Sequence, residues 1–176
     1  MCSSDLENVA LELINEGVSV LCEKPLATDS KACRDLISRA AEKNVVLAVN
    51  QNGIFDPAYL KLLDTVQSGA VGNLRHVHCF FNVPLRQLAA NQMGHWMFNQ
   101  PMNILLEQAV HPLSQILDLI GDVTNISAHA PAGNEFSPGT MFFSSCSITL
   151  QGKKASAQLH FAVGREYPFW QISAIC

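Results

Sequence analysis

None of the ten glycines in this 176-residue sequence stands two positions from another. A Gly-x-Gly turn, the usual cradle for a pyrophosphate, is therefore missing from these residues. Basic charge is scarce as well. Eleven Lys and Arg against fifteen Asp and Glu leave a formal charge of −4, with no basic cluster. That balance removes the electrostatic case for nucleic acid or an anionic membrane surface as partner. No apolar run approaches the length that spans a bilayer. The opening MCSSDLENVALEL is acidic and polar and does not read as a secretory signal. Six cysteines, at positions 2, 22, 33, 79, 146 and 176, form no Cys-x-x-Cys pair, so reduced thiols in a cytoplasmic protein are expected.

What is present is apolar and patterned. Hydrophobic residues make up 48% and charged residues 15%, the composition of a packed chain rather than a disordered one. Ser4-x-x-Glu7 reads as a capping box opening a helix that ends at Gly17. Its inner residues are expected at Leu6, Val9, Ala10, Leu13 and Ile14. Val18 to Cys22 is a continuous apolar run, as in a strand buried on both faces. Thr28 or Asp29 caps a second helix with Ala32, Cys33, Leu36, Ile37, Ala40 and Ala41 inward, and Val45 to Val49 is a second buried strand. This alternation predicts a parallel sheet with crossover helices. It is too short for a complete doubly wound sheet.

Beyond residue 52 the pattern changes. Asp56-Pro57 starts a third helix that stops at Gly69. A strand is expected over Leu74 to Asn82, a helix over Ile104 to Ile120, and further strands over Val123 to His129, Met141 to Leu150, Ala155 to Val163 and Phe169 to Ile175. Gln151-Gly152-Lys153 reads as a tight hairpin connection and Asn134 to Gly139 as a loop. Pro112 cannot donate to the Gln108 carbonyl, so a kink is expected there. The fold class is thus α/β plus α+β: residues 1–52 as part of a Rossmann-type parallel sheet, and 53–176 as a mainly antiparallel, open-faced sheet with helices on one face. Both ends read as truncated, the last strand running into Cys176 without a closing turn.

Glu23-Lys24-Pro25 directly follows the first buried strand. Ligands in parallel sheets bind at the carboxyl ends of strands, so a Lys there is placed to exchange a proton with a substrate hydroxyl. A surface loop is the plainer alternative. Pro25 also makes a cis Lys24–Pro25 bond cheap. Glu107 and His111 are four residues apart, which puts both on one helix face, where a carboxylate can orient an imidazole or raise its pKa. A packed core histidine is the alternative for His111.

Glu23-Lys24-Pro25-Leu26-Ala27, Phe55-Asp56-Pro57-Ala58, Ser68-Gly69-Ala70-Val71-Gly72 and the Glu107–His111 segment occur in this order along nearly the whole chain. In this the chain resembles the Gfo/Idh/MocA oxidoreductases. The resemblance implies NAD or NADP as cofactor, hydride transfer at a hydroxyl-bearing carbon of a sugar or polyol, and a catalytic set of Lys24, His111 and Glu107. It puts Glu23, Lys24, Pro25, Gln51 and Asn52 on the cofactor side, and implies a homo-oligomer formed through the C-terminal sheet. Three departures bear on the pocket: Glu107 where an Asp is more usual, Met102-Asn103 in place of small residues, and Ser114 in place of a frequent acid.

Other candidates carry less. The amides of Asn50, Gln51 and Asn52 end the second strand, facing ligand or solvent. Arg86, His95 and Trp96 lie in a region often turned to substrate, though a solvated Arg and a packed Trp account for them more simply. His76 and His78 share a strand face, but nothing points to a third metal ligand. A non-catalytic ligand sensor of the same fold and an assembly module acting through its sheet are the competing functions. Residues 1–176 alone are expected not to bind NAD(P)H.

Overall fold

The computed structural model describes residues 3–131, 134–137, 140–164 and 167–176. Contacts divide the chain into Met1–Gln51 and Asn52–Cys176.

The first unit runs α1 (Ser3–Asn15), β1 (Val20–Glu23), α2 (Ser30–Lys43) and β2 (Leu47–Asn50). The helix is already formed at Ser3, one residue before the expected cap, and the Ser4 side chain lies outside the described residues. Asp29 caps α2 by accepting from the Lys31 and Ala32 N–H groups at 2.8 and 2.9 Å, which settles the choice between Thr28 and Asp29. The two strands pair in parallel, Val20 opposite Leu47 and Glu23 opposite Asn50. Their carboxyl ends therefore reach the same end of the sheet. One small core holds Ala10 and Ile14 from α1, Val20 and Cys22 from β1, and Leu36 and Ala40 from α2.

Burial of the sheet on both faces does not occur. Leu21 is 73% and Val46 66% exposed, because both helices of this unit pack on one face of its sheet. Val9, Leu13 and Ile37, expected inward, are also exposed. A two-stranded sheet offers too narrow a surface to cover two wide apolar helix stripes.

The second unit opens with a 3₁₀ turn (Asn52–Phe55) and α3 (Pro57–Gln67), then β3 (His76–Val83), α4 (Arg86–Ala89) and a 3₁₀ turn at Trp96–Phe98. There follow α5 (Asn103–Gln108), α6 (Val110–Ile120), β4 (Val123–His129), β5 (Asn134–Ser137), β6 (Thr140–Phe142), β7 (Ser145–Gly152), β8 (Ser156–Val163) and β9 (Phe169–Ile175). Five strands form one sheet in the order β4-β7-β8-β3-β9, antiparallel except for β3 and β8. Alternation along β3 sends Val77, Cys79 and Phe81 into the core and leaves His76, His78 and Phe80 on the open face. Helix α6 covers the inner side with Pro112, Gln115, Ile116, Leu119 and Ile120, an i, i+3, i+4, i+7, i+8 stripe.

Three local expectations are corrected. The helix expected over 104–120 is two helices that break at Ala109, which ends α5 and caps α6. Pro112 sits in the first turn of α6, where its missing N–H is harmless, so the break falls three residues before it. Met141 to Leu150 is not one strand. It divides at Phe143–Ser144 into β6 and β7, which belong to different sheets. Asn134–Ser137 is not loop but pairs antiparallel with β6; four residues are too few for periodicity to show. Pro138 and Gly139 lie outside the described residues.

Candidate active site

Lys24 follows β1 immediately, partly exposed, and its peptide bond to the buried Pro25 is cis. Glu23 faces Asn50 across the sheet and accepts its side-chain amide at 2.8 Å. Next in sequence, the Gln51 carbonyl Oε1 is buried with no hydrogen-bond partner. Asn52 is exposed and opens the 3₁₀ turn. The two strand ends thus carry one acid, one lysine and three amides.

In the second unit, Glu107 lies in the last turn of α5 and His111 in the first of α6. The break between them is shallow. Ala109 keeps helical angles (φ −72°, ψ −16°), its N–H reaches the Leu105 carbonyl at 2.8 Å, and its carbonyl accepts from Leu113 N–H at 3.0 Å. One-turn spacing therefore survives the change of helix.

His111 borders a cavity of about 360 Å³. Three amide side chains, Asn52, Asn82 and Gln108, line it together with Phe81, Val83 and the Pro168-Phe169-Trp170 run. The Glu107 side chain is not part of that lining. The Trp170 ring lies tilted beside His111, with centroids 6.4 Å apart. It stands edge-on to Phe81 at 5.0 Å, and its indole lies beside the Cys79 thiol. Burial pushes the Cys79 thiol up to about 12, and the indole only partly opposes this. The cavity thus joins one imidazole, hydrogen-bonding amides and aromatic carbon, a lining suited to a small polyhydroxylated molecule.

This architecture is that of a known family. The model of the GFO/IDH/MocA C-terminal domain matches residues 59–173, and that of an oxidoreductase family with an NAD-binding Rossmann fold matches residues 4–51. The chain belongs to the Gfo/Idh/MocA family. It is 28% identical over 154 residues to a dTDP-3,4-didehydro-2,6-dideoxy-alpha-D-glucose 3-reductase from Streptomyces violaceoruber, covering 88% of this chain and 44% of the relative. It is 29% identical over 137 residues to inositol 2-dehydrogenase 4 of Saccharopolyspora erythraea, covering 77% and 38%. An oxidoreductase from Agrobacterium radiobacter, solved with NAD+, L-tartaric acid and magnesium, has the same fold, with a TM-score of 0.85 at 14% identity over 99% of this chain and 51% of that one. This Gfo/Idh/MocA chain therefore spans under half the length of those two curated relatives.

The weaker candidates resolve differently. Arg86 is exposed at the start of α4. His95 caps the second 3₁₀ turn, its Nδ1 accepting from Met97 N–H at 3.4 Å, and the Trp96 carbonyl accepts from Asn103 at 2.9 Å. His76 meets the Ser156 hydroxyl at 2.8 Å on the open face. No metal-binding cluster of His, Cys, Asp or Glu is found among the described residues, and no described helix is long and apolar enough to cross a membrane. Asn82, Gln108 and Trp170 escaped sequence reading. The one usable signal was position, since Asn82 lies near the carboxyl end of β3 and Trp170 near the start of its antiparallel partner β9.

Proposed function

We propose that the complete protein transfers a hydride between a nicotinamide cofactor, NAD or NADP, and a hydroxyl-bearing carbon of a sugar, inositol or related polyol. The observation that carries this is the amide- and aromatic-lined cavity at His111, in a chain of this family. The substrate hydroxyl exchanges its proton with Lys24 and His111 as the hydride leaves or arrives, and Glu107 orients the imidazole. Lys24 and His111 belong to different units, and their convergence on one cleft is part of the proposal.

Glu23, Lys24, Pro25, Gln51 and Asn52 fit the nicotinamide side of such a site. The buried, unpartnered Gln51 Oε1 is an acceptor of the kind a carboxamide N–H satisfies. When bound, the nicotinamide supplies the hydride donor or acceptor; the protein supplies position and proton transfer.

We further propose a cytoplasmic homo-oligomer formed through the open face of the five-stranded sheet. Its strands contain no Asp, Glu, Lys or Arg, and Phe80, Phe169 and Ile175 are exposed on that face. A second copy there meets no formal like charge.

The test is spectrophotometric turnover by the complete protein with NAD+ and NADP+ against myo-inositol, D-glucose and acyclic polyols. Saturable reduction with at least one is expected. Failure with all of them, in protein that binds the cofactor, overturns the catalytic reading in favour of a sensor.

A further inference from the structure

We propose that Trp170 is the wall on which a cyclic polyol or pyranose lays its C–H face in the His111 cavity, and that Gly53 and Gln115 set the angle of that wall. This rests on the hydride-transfer reading above and adds to it a preference for ring substrates over open-chain ones.

Trp170 projects from the inner side of β9, yet it is 43% exposed. One part of the ring is locked by Phe81, by the Cys79 sulfur and by the backbone at Gly53. Another part borders the cavity beside His111. A locked aromatic surface loses little freedom when a ligand arrives, so its contact counts almost in full toward binding.

A ring polyol has an apolar C–H face and a rim of hydroxyls. The cavity repeats that division. Trp170, Phe81 and Val83 are carbon surface, whereas Asn52, Asn82 and Gln108 offer both donors and acceptors. Asn82 is already oriented: its Nδ2 donates to the Tyr167 carbonyl at 2.6 Å, which leaves a buried Oδ1 with no partner. That acceptor calls for a donor such as a hydroxyl. A flexible open chain presents no continuous C–H face to the indole and has more freedom to lose.

Gly53 is what admits the indole. A Cβ there would stand 3.0 Å from Trp170 Cη2, closer than the ring allows without shifting. Gln115 anchors the same residue, donating to the Gly53 carbonyl at 2.7 Å. Neither Gly53 nor Gln115 lines the His111 cavity.

The experiment measures kcat and KM of the complete protein for myo-inositol, D-glucose and sorbitol, with calorimetric binding of the best ring substrate and melting temperatures for each variant. Trp170→Leu is expected to raise KM and Kd for the ring substrate about tenfold or more, the scale of a lost apolar contact, with a smaller effect on kcat and on sorbitol. Gly53→Ala, which adds nothing to the cavity, is expected to raise the same KM by a smaller factor, and Trp170→Phe to retain part of the affinity. A KM and Kd within twofold of wild type in folded Trp170→Leu overturn the inference while leaving the hydride-transfer reading intact. If that variant does not fold, unchanged values in both Trp170→Phe and Gly53→Ala overturn it. A wild-type protein that turns over only sorbitol overturns it too, and one that binds none of the three overturns both readings.

Discussion

Gln115 reaches back 62 residues to Gly53, and its side-chain amide donates to the Gly53 carbonyl at 2.7 Å inside the second unit. Gln115 is 3% exposed, and its own Oε1 has no hydrogen-bond partner. Its backbone carbonyl meanwhile accepts the Tyr59 hydroxyl at 3.0 Å. One residue of α6 therefore ties down both the 3₁₀ turn and α3. The donor matters more than the acceptor. Gln115→Glu keeps the shape but replaces a donor with a carboxylate facing a carbonyl, and is expected to cost about 2–4 kcal/mol of unfolding free energy. Gln115→Leu also strands the Gly53 carbonyl but removes the orphan Oε1, and is expected to cost about 1–2 kcal/mol. Urea unfolding checks both, and a Glu variant as stable as wild type refutes the pairing.

Among the described glycines, Gly152 leaves the least room for a side chain. A Cβ there would lie 2.6 Å from the Ile120 carbonyl oxygen and 2.9 Å from that of Ala155. Both are backbone atoms, and Lys154 N–H also binds the Ile120 carbonyl at 3.1 Å, so neither side gives way easily. Gly152→Ala is expected to lose about 1–3 kcal/mol or more by overpacking, although alanine is ordinarily better than glycine in a strand. Chemical denaturation that shows a gain in stability would reject this account of the α6–β7 junction.

Such contacts mark the limit of what the sequence discloses. The caps at Asp29 and Asp56 were readable because an Asp side chain closes on N–H groups two and three residues away. The first two strands were readable from the apolar runs Val18 to Cys22 and Val45 to Val49, which overlap them, though not the bareness of Leu21, which depends on what lies over the sheet. Pro112 announced an interruption near its true place but could not fix it at Ala109, since a proline fits the first turn of a helix as well as it breaks the middle of one. Lys24, Glu107 and His111 are candidates that local placement and the family resemblance could single out. The place of Trp170 in the cavity lining could not be read, because Gly53, Cys79 and Phe81, which hold it, are 89 to 117 residues away in the chain.

Cys79 predicts an alkaline limit. Its folded thiol is pushed up to about 12 by burial, against 9.0 as its ordinary value. The neutral thiol is therefore favoured by the fold. The stability linked to it is fully present below about pH 9 and is lost as the pH rises toward 12. Unfolding followed across that window is expected to show a decline that Cys79→Ala reduces. Native protein treated with a thiol reagent at mildly alkaline pH should label the exposed Cys176 rapidly and the buried Cys79 and Cys146 only on unfolding. Peptide mass mapping reads this directly, and rapid labelling of Cys79 in folded protein would contradict the packing around Trp170.

The catalytic assignment gives the sharpest contrast between activity and stability. Lys24 lies in a strand-end loop, partly exposed, and its neighbour Pro25 rather than Lys24 itself is buried. Lys24→Ala should leave the melting temperature near that of wild type. If Lys24 exchanges the substrate proton, kcat should still fall by about 10²–10⁴. His111→Ala is expected to lower kcat on the same scale, with some loss of stability, since the imidazole packs near Trp170 at 6.4 Å. Glu107 is argued to act through His111, so Glu107→Gln should do something different: lower kcat less, and shift the acid limb of its pH profile toward lower pH as the imidazolium loses its carboxylate. Glu107→Asp, restoring the residue more usual in the family, should recover the profile. The three variants therefore separate proton transfer from orientation. A Lys24→Ala enzyme with wild-type kcat would remove the lysine from the mechanism, and a Glu107→Gln enzyme with an unshifted profile would leave the glutamate a purely structural part of α5.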